Sequence, residues 1–310
     1  MTEPASIDRR RLGVIILGAP RSGTTLLRRL FDAHPSFACP GETNLFSACA
    51  RFLKREHIAE GAEIGVERGL SLAGFEPTET RSRLRDLAFG FHVEHAARVG
   101  KPRWVEKTAF DAFHVDDIDR LVGGHVRYVI ITRHGLDCAV SMDELCRKNG
   151  VYLSELHDYI RRYPKPLEAF ARAWVDLSSS LTKLGERRGE DCIRLRYEDL
   201  IAAPERELER VFSDLGEVLP DGLVAGALSS KQNVGLGDWK TYGRTEIDSD
   251  SQGRWQKLSR RTQAELAPIV NETLEALGYA RLETPLVDDD ESVAARRYAL
   301  GLMVSGLKKG

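Results

Sequence analysis

The sequence has almost no net charge and no long apolar run. Its 310 residues contain 45 Lys and Arg against 47 Asp and Glu, a formal charge of -2 at pH 7. So balanced a chain has no bulk attraction to nucleic acid or anionic lipid, and we expect neither as a partner. No stretch suits a transmembrane helix, and the apolar part of the first segment, MTEPASIDRRRLGVIIL, is too short for a signal peptide. These absences predict a cytoplasmic protein.

Cysteine is also scarce, and none of it forms a C-x-x-C pair. The five cysteines are Cys39, Cys49, Cys138, Cys146 and Cys192. Because their number is odd and their spacing wide, we predict free thiols in a reducing compartment. His92 and His95 are spaced to share a helix face, but the sequence offers no third ligand beside them, so a metal site is disfavoured.

Short apolar segments alternate with amphipathic ones, which is typical of an α/β fold. LGVIIL at 12–17 and YVIIT at 128–132 are runs expected of strands buried on both faces. RWVEKT at 103–108 and CIRLRY at 192–197 are further strand candidates.

Two helices have clear sequence signals. Apolar residues at spacings of three and four predict a helix from Leu167 to about Arg187. A later helix is predicted to start near Thr262, with Glu265 completing a capping box, and to end at Gly278.

The stretch GAPRSGTT, residues 18–25, lies between the first predicted strand and a helix. Gly18 and Gly23 keep the spacing of G-x-x-x-x-G-K-[ST], but Thr24 stands in place of the lysine. Backbone N–H groups and the helix N-terminus converge there and attract an anion, and Arg21 adds a charge. Since ATP and GTP hydrolases use that lysine on the β/γ-phosphates, the pattern favours another phosphate compound. A glycine-rich turn that binds nothing is the alternative.

A second candidate anion site follows the strand at 128–132. In RHGLDCAVSM, Arg133 lies at the predicted strand end and Ser141 two helical turns further on, so both can face one phosphate. The arginine guanidinium suits phosphate because it binds two oxygens at once and keeps its charge. A surface salt bridge of Arg133 is the alternative.

Together these motifs resemble the sulfotransferases that use 3′-phosphoadenosine 5′-phosphosulfate (PAPS), most of all tyrosylprotein sulfotransferases and their bacterial relatives. PRSGTTLL is similar to their 5′-phosphosulfate loop and TRHGLDCAVSM to their 3′-phosphate motif. LRYEDLIAAPE is similar to a segment whose tyrosine lies near the nucleotide, and GRWQKLS to one that closes over it. The resemblance covers roughly residues 12–280, within a predicted domain of residues 1–287 followed by a tail at 288–310.

The resemblance implies an α/β fold of the P-loop-containing nucleoside triphosphate hydrolase-like type, with three layers around a central parallel sheet. It also implies PAPS as the sulfo donor and the bisphosphate PAP as the product. A phosphosulfate has no γ-phosphate to hold, so no metal is expected. The implied donor-binding residues are Arg21, Ser22, Gly23, Thr24, Thr25, Arg133, Ser141, Tyr197 and Arg254.

The catalytic residues implied by the resemblance are Glu42 and Lys107. Small-molecule sulfotransferases carry a Lys-Thr-His motif whose histidine is the base, but here the matching stretch reads KTA at 107–109. The glutamate that acts as base in tyrosylprotein sulfotransferases matches Glu42, and Lys107 would stabilise the bridging oxygen. The alternatives are a helix-capping role for Glu42 and an ion pair of Lys107 with Glu106 or Asp111.

Two other functions stay open at this stage, a nucleotide kinase and a non-catalytic module that binds an adenosine bisphosphate. The kinase is disfavoured by the missing loop lysine. The acceptor pocket is expected from residues 45–100 and 148–166, and the expected acceptor is a small molecule, a carbohydrate or a lipid. The glycine-rich loop at 235–243 is a candidate lid, with an ordinary surface loop as the alternative. Homo-oligomerisation is left open.

Overall fold

The computed structural model of the chain describes residues 13–59, 62–229, 247 and 250–283. Its strands, in chain order, are β1 (Gly13–Leu17), β2 (Phe37–Ala38), β3 (Glu56–Ala59), β4 (Ala62–Ile64), β5 (Arg103–Glu106), β6 (Val126–Thr132) and β7 (Cys192–Arg196). Over the described residues, one parallel sheet has the order β2-β5-β1-β6-β7, and β3 and β4 form a separate antiparallel pair.

Helices connect the strands of the parallel sheet. They are α1 (Thr24–Ala33), α2 (Leu45–Phe52), α3 (Val66–Leu72), α4 (Pro77–Arg98), α5 (Val115–Val122), α6 (Gly135–Asn149), α7 (His157–Arg162), α8 (Pro166–Arg188), α9 (Tyr197–Ala202), α10 (Pro204–Asp214), α11 (Leu223–Ser229) and α12 (Arg260–Ala276). Short 3₁₀ turns lie at Ala109–His114, Ser154–Leu156, Gly189–Asp191 and Arg254–Lys257.

The central strand β1 shows why the fold has three layers. Successive side chains of a strand point to opposite faces, and all five β1 residues are buried. Val14 and Ile16 pack in one apolar cluster with residues of α1 and α10. Ile15 and Leu17 pack in a second cluster with residues of α2, α5 and α8. Helices therefore cover both faces of the sheet, which confirms the predicted α/β architecture.

Parallel strands bring the candidate site residues to one edge. β1 lies between β5 and β6, and β7 pairs with the outer side of β6. The carboxyl ends of these strands all face the same way, so the segments that follow them meet. Gly18, Lys107, Arg133 and Tyr197 are the first residues after β1, β5, β6 and β7.

The strand predictions are confirmed, with shorter or shifted ends. β5 stops at Glu106, two residues before the predicted end, and Tyr197 starts α9 where the sequence suggested a last strand residue. The two-residue strand β2 was not predicted, because so short a segment has no periodicity to detect. All five cysteines are free thiols, as predicted.

Both predicted helices form, but the cap of the later one was placed wrongly. α12 begins at Arg260, and the side chain of Ser259 accepts the Thr262 backbone N–H at 3.1 Å. Glu265 forms an ion pair with Lys165 at 2.9 Å, and no capping box forms with it. The first turn of this helix is polar and contains two arginines. It therefore has no apolar periodicity from which the start of the helix could be predicted.

Some predictions fall elsewhere in the chain. The candidate lid at 235–243, the domain boundary at 287 and the tail at 288–310 lie outside the described residues. Within the described ranges, no helix combines the length and apolar character needed to cross a membrane.

Candidate active site

The glycine-rich loop between β1 and α1 has the geometry of an anion site. Gly23, at φ 97°, is the N-cap of α1 and has no side chain to cap the first turn. Arg21 is also left-handed, at φ 73°, and Ser22 N donates to Ala19 O at 3.0 Å. The loop therefore curls back on itself and leads into the helix N-terminus, where backbone N–H groups and the helix dipole attract an anion. The predicted loop hydroxyls that line this turn are all buried: Ser22, Thr24 and Thr25.

Three arginines converge beside the loop. Arg133 Nη1 donates to Arg21 O at 2.8 Å, and Arg21 Nε donates to Ser141 Oγ at 3.0 Å. Burial, and then the nearby charges of Arg133 and Arg21, lowers the pKa of Arg254. Arg254 also forms an ion pair with Glu144 of α6. The structure thus brings the predicted residues Arg133, Ser141 and Arg254 together around Arg21. The positive charges of the three arginines suit an anionic ligand.

Tyr197 packs against the loop and the arginines. A Cβ atom on Gly23 would lie 2.3 Å from its ring, so the loop backbone can approach only as glycine. The Arg133 guanidinium lies over the same ring, 4.6 Å from its centroid, in a cation–π contact. The Tyr197 hydroxyl is 2.7 Å from Ser251 Oγ. Tyr197 therefore lies between the loop and Ser251, and its place near the nucleotide stays a prediction.

Asp137 of α6 holds residues 253–259 in place, which are called the closing segment here after the motif that they resemble. Its two carboxylate oxygens accept the backbone N–H groups of Gly253 at 2.8 Å and Trp255 at 3.1 Å. The Trp255 ring stacks on His134, with centroids 4.9 Å apart and planes at 4°. Burial lowers the pKa of His134 to about 4, so this ring is neutral at pH 7. Because Gly253 and Trp255 flank Arg254, these contacts place Arg254 near Arg21 and Arg133.

Lys107 and Glu42 form an ion pair beside the loop. Lys107 Nζ contacts Glu42 Oε1 and lies 3.4 Å from Thr25 Oγ1. The lysine side chain is 2% exposed and the glutamate side chain 23%. The cation is therefore enclosed next to the loop, while the carboxylate can still be reached from outside.

The structure decides two of the alternatives for this pair. The N-cap of α2 is Asn44, and Glu42 lies two residues before it, outside the first turn, so the helix-capping alternative is wrong. Lys107 does form an ion pair, but its partner is Glu42 in place of the expected Glu106 or Asp111. Each of the two candidate catalytic residues is thus the direct neighbour of the other.

Comparison with known proteins agrees with this geometry. A family model described as "Sulfotransferase family" matches residues 13–221. The chain belongs to the sulfotransferase family. It is 27% identical over 257 residues to nodulation protein NoeE of Sinorhizobium fredii, covering 78% of this chain and 59% of that protein. It is 27% identical over 198 residues to protein-tyrosine sulfotransferase A of Caenorhabditis elegans, covering 64% and 48%.

The fold of this sulfotransferase-family chain also matches a solved structure. The sulfotransferase domain from the Synechococcus PCC 7002 olefin synthase superposes with a TM-score of 0.61 at 20% identity, covering 90% of this chain and 98% of that one. The chain spans 59% of NoeE and 48% of the nematode protein, so it corresponds to part of each relative's length.

Two buried carboxyl groups lie behind the Glu42–Lys107 pair of this family member. Desolvation raises the pKa of Glu106 to about 7, although hydrogen bonds from Thr108 and Thr43 oppose the rise. Burial also raises the pKa of Asp111 well above its usual value, and the charge of Glu106 adds to this. Such raised pKa values arise because the fold buries carboxyl groups whose charged form is more stable in water. They are common at functional sites.

Sequence reasoning missed Glu106 and Asp137, although both left a signal. Glu106 ends the short strand β5 directly after the apolar pair Trp104 and Val105, and a charged residue buried there needs a polar partner. Asp137 precedes Ser141 by four residues and Glu144 by seven, so the three share one face of α6. That spacing would have pointed to a polar helix face toward the arginines.

No metal site is evident in the parts of the chain that the structure describes. Within them, no three His, Cys, Asp or Glu side chains are grouped as metal ligands would be. His92 instead stacks on Trp104 at 4.7 Å and on Phe46 at 5.5 Å. That the reaction needs no metal stays a prediction.

Proposed function

We propose that this chain transfers a sulfo group from PAPS to a hydroxyl or amine of a small-molecule, carbohydrate or lipid acceptor. The observation that carries the proposal is the Glu42–Lys107 ion pair beside a phosphate loop that has Thr24 in place of the lysine. A base and an enclosed cation next to an anion site are the groups that transfer from a phosphosulfate requires.

Two anion sites divide the donor between them. The loop and the N-terminus of α1 bind the 5′-phosphosulfate, as backbone N–H groups at helix starts commonly do. Arg133, Ser141 and Arg254 bind the 3′-phosphate. Arg133 donates from Nη1 to Arg21 O and from Nη2 to Ser251 O, and its Nε has no hydrogen-bond partner among the described residues and can donate to the phosphate. The phosphate replaces Glu144 as the partner of Arg254.

The transfer breaks the bond between sulfur and the bridging oxygen of PAPS and forms a bond between sulfur and the acceptor oxygen or nitrogen. Glu42 takes the acceptor proton, and Lys107 stabilises the negative charge that develops on the bridging oxygen as PAP leaves. Donor binding puts an anion beside Lys107. The lysine then turns from Glu42 to the donor, which leaves the carboxylate free to accept the proton.

Calorimetric titration tests the donor. PAP and PAPS should bind equally well in Mg²⁺ and in EDTA, and ATP should bind weakly, because no loop lysine is present to hold its β/γ-phosphates. Tight, Mg²⁺-dependent binding of ATP would favour a kinase instead.

A transfer assay tests the activity. Labelled PAPS is incubated with a panel of phenols, sugars, amines and lipids, and labelled product is scored for each. Glu42→Gln should lower kcat by about 10² to 10⁴ with PAPS affinity unchanged, because the amide keeps the shape and loses the basicity. Lys107→Ala should cost a similar factor, and the double variant less than the product of the two. Glu272→Gln, an exposed glutamate of α12, is the matched control. PAP binding without transfer to any acceptor would favour a non-catalytic module.

A further inference from the structure

Glu106 is a buried acid that the proposed reaction does not use. It is the last residue of β5, directly before Lys107, and its side chain is 0% exposed. A carboxyl group this deep is costly to bury unless it has hydrogen-bond partners. Its partners show what it holds together.

The two oxygens of Glu106 bind two different segments. Thr43 Oγ1 donates to Glu106 Oε2 at 2.8 Å, and Thr108 Oγ1 donates to Oε1 at 2.6 Å. Thr43 directly follows Glu42, and Thr108 directly follows Lys107. One carboxyl group therefore joins the chain beside the candidate base to the chain beside the candidate cation.

Backbone groups complete the same connection. Leu45 N donates to Thr43 Oγ1 at 3.2 Å, and Asn44 N donates to Thr108 Oγ1 at 3.1 Å. Asn44 is held in the left-handed region at φ 57°, a conformation that residues other than glycine seldom adopt. Each threonine hydroxyl thus accepts from the backbone and has a single proton, which it gives to Glu106.

The His92 ring lies beside the same carboxyl group. Its Nε2 lies 3.3 Å from Glu106 Oε2, and its ring is stacked between Phe46 and Trp104. The acid is therefore fully buried, with two hydroxyl partners and the His92 ring beside it.

We propose that Glu106 is a positioning residue that fixes the Glu42 segment against the Lys107 segment, so that base and cation face the same reacting atoms. This inference rests on the proposed sulfo transfer. Only an acceptor of two hydrogen bonds can serve, because both hydroxyl protons point at Glu106. In a glutamine, the side-chain oxygen would accept from one threonine hydroxyl. Its NH₂ group would face the other hydroxyl, so that two donors would point at each other.

The Thr43 side chain allows a test that leaves the buried acid in place. Thr43→Val keeps the volume and removes the hydroxyl, whereas Thr43→Ser keeps the hydroxyl. With the acceptor found in the panel, Thr43→Val should lower kcat by about 10- to 100-fold, since small displacements of reacting groups cost this much. PAP affinity and KM for PAPS should not change, and Thr43→Ser should restore most of kcat. Thr78→Val, at an exposed position of α4, is the matched control.

Further variants and a crystal structure complete the test. Thr108→Val should resemble Thr43→Val, and Glu106→Gln combined with Thr43→Val should be no worse than the poorer single variant, because both break one connection. In crystals of Thr43→Val with PAP, Glu42 should have moved from its wild-type position.

The outcomes separate this inference from the proposed function. A wild-type kcat in Thr43→Val, an equal fall in Thr43→Ser, or an unmoved Glu42 in the crystals would overturn the positioning role. A parallel loss of PAP binding or of folding in Thr43→Val would show a general structural role instead. A wild-type chain that neither binds PAP nor transfers a sulfo group would refute the proposed function itself. If Glu106→Gln does not fold, the Thr43 series still decides.

Discussion

Replacing Glu106 by glutamine should change how the stability of the protein depends on pH. The folded protein raises the pKa of this carboxyl to about 7 from an ordinary value of 4.5. The folded state therefore holds the Glu106 proton more tightly than the unfolded chain does. The stability that this proton contributes is full below pH 4.5 and is lost as pH rises toward 7. Glutamine does not titrate, so the variant lacks this contribution.

The size of the effect follows from the pKa difference. One pKa unit corresponds to about 1.4 kcal/mol, so wild type should lose about 2 to 3 kcal/mol relative to Glu106→Gln between pH 5 and pH 8. Ionisable groups near this carboxyl include Lys107, Asp111 and His92. The charge of Lys107 lowers the pKa of Glu106. Burial raises the pKa of Asp111, so the stability that Asp111 contributes is also lost as pH rises. Burial lowers the pKa of His92 to about 4, so the stability that His92 contributes is lost as pH falls. Because His92 lies 3.3 Å from Glu106 and has a pKa of about 4, the two proteins are compared above pH 5, where this ring is neutral.

Urea unfolding at several pH values, followed by tryptophan fluorescence, measures the difference directly. Glu272→Gln, the exposed control, should follow wild type at every pH. A difference between wild type and Glu106→Gln that stays constant from pH 5 to 8, or that favours wild type more at high pH, would refute the reasoning.

Three further changes probe the donor site. Arg133→Ala should weaken PAP binding by about 1.5 to 3 kcal/mol in calorimetry and leave adenosine 5′-phosphosulfate, which lacks the 3′-phosphate, unaffected; equal losses would remove Arg133 from the 3′-phosphate. Gly23→Ala should abolish PAP binding and lower the melting temperature, since φ is 97° and the new methyl would meet the Tyr197 ring; normal binding would contradict this. Asp137→Asn should speed amide hydrogen exchange at Gly253 and Trp255, because an amide oxygen replaces only one of two acceptors; unchanged exchange would contradict it.

Much of the fold could be predicted because its signals are local. The β-branched run of β1 and the three-and-four spacing of α8 each come from neighbouring residues, and the structure confirms both. The glycine-rich loop at 18–25 could be predicted for the same reason, since its glycines, its strand and its helix lie within about twenty residues of one another. The prediction of the start of α12 failed because the first turn of this helix is polar and has no apolar periodicity.

The closing segment shows the limit of such signals in the candidate site. A resemblance to known motifs pointed to Arg254, yet the residue that holds its segment is Asp137, 116 positions from Gly253 and 118 from Trp255. Nothing near Asp137 in the chain indicates that partner. The contact exists because α6 starts at the sheet edge where the closing segment passes.

The sequence by itself determined the strands, the loop and the type of residue at each strand end. Only the tertiary structure decided which distant polar groups meet, and Lys107 is the clearest example. Its expected partners, Glu106 and Asp111, are close in the chain, but the fold pairs it with Glu42, 65 positions away. Consecutive residues of an extended chain point to opposite sides, so Glu106 turns into the core while Lys107 turns to the loop. What each meets there depends on how β5 and α2 pack, and no local pattern encodes that packing.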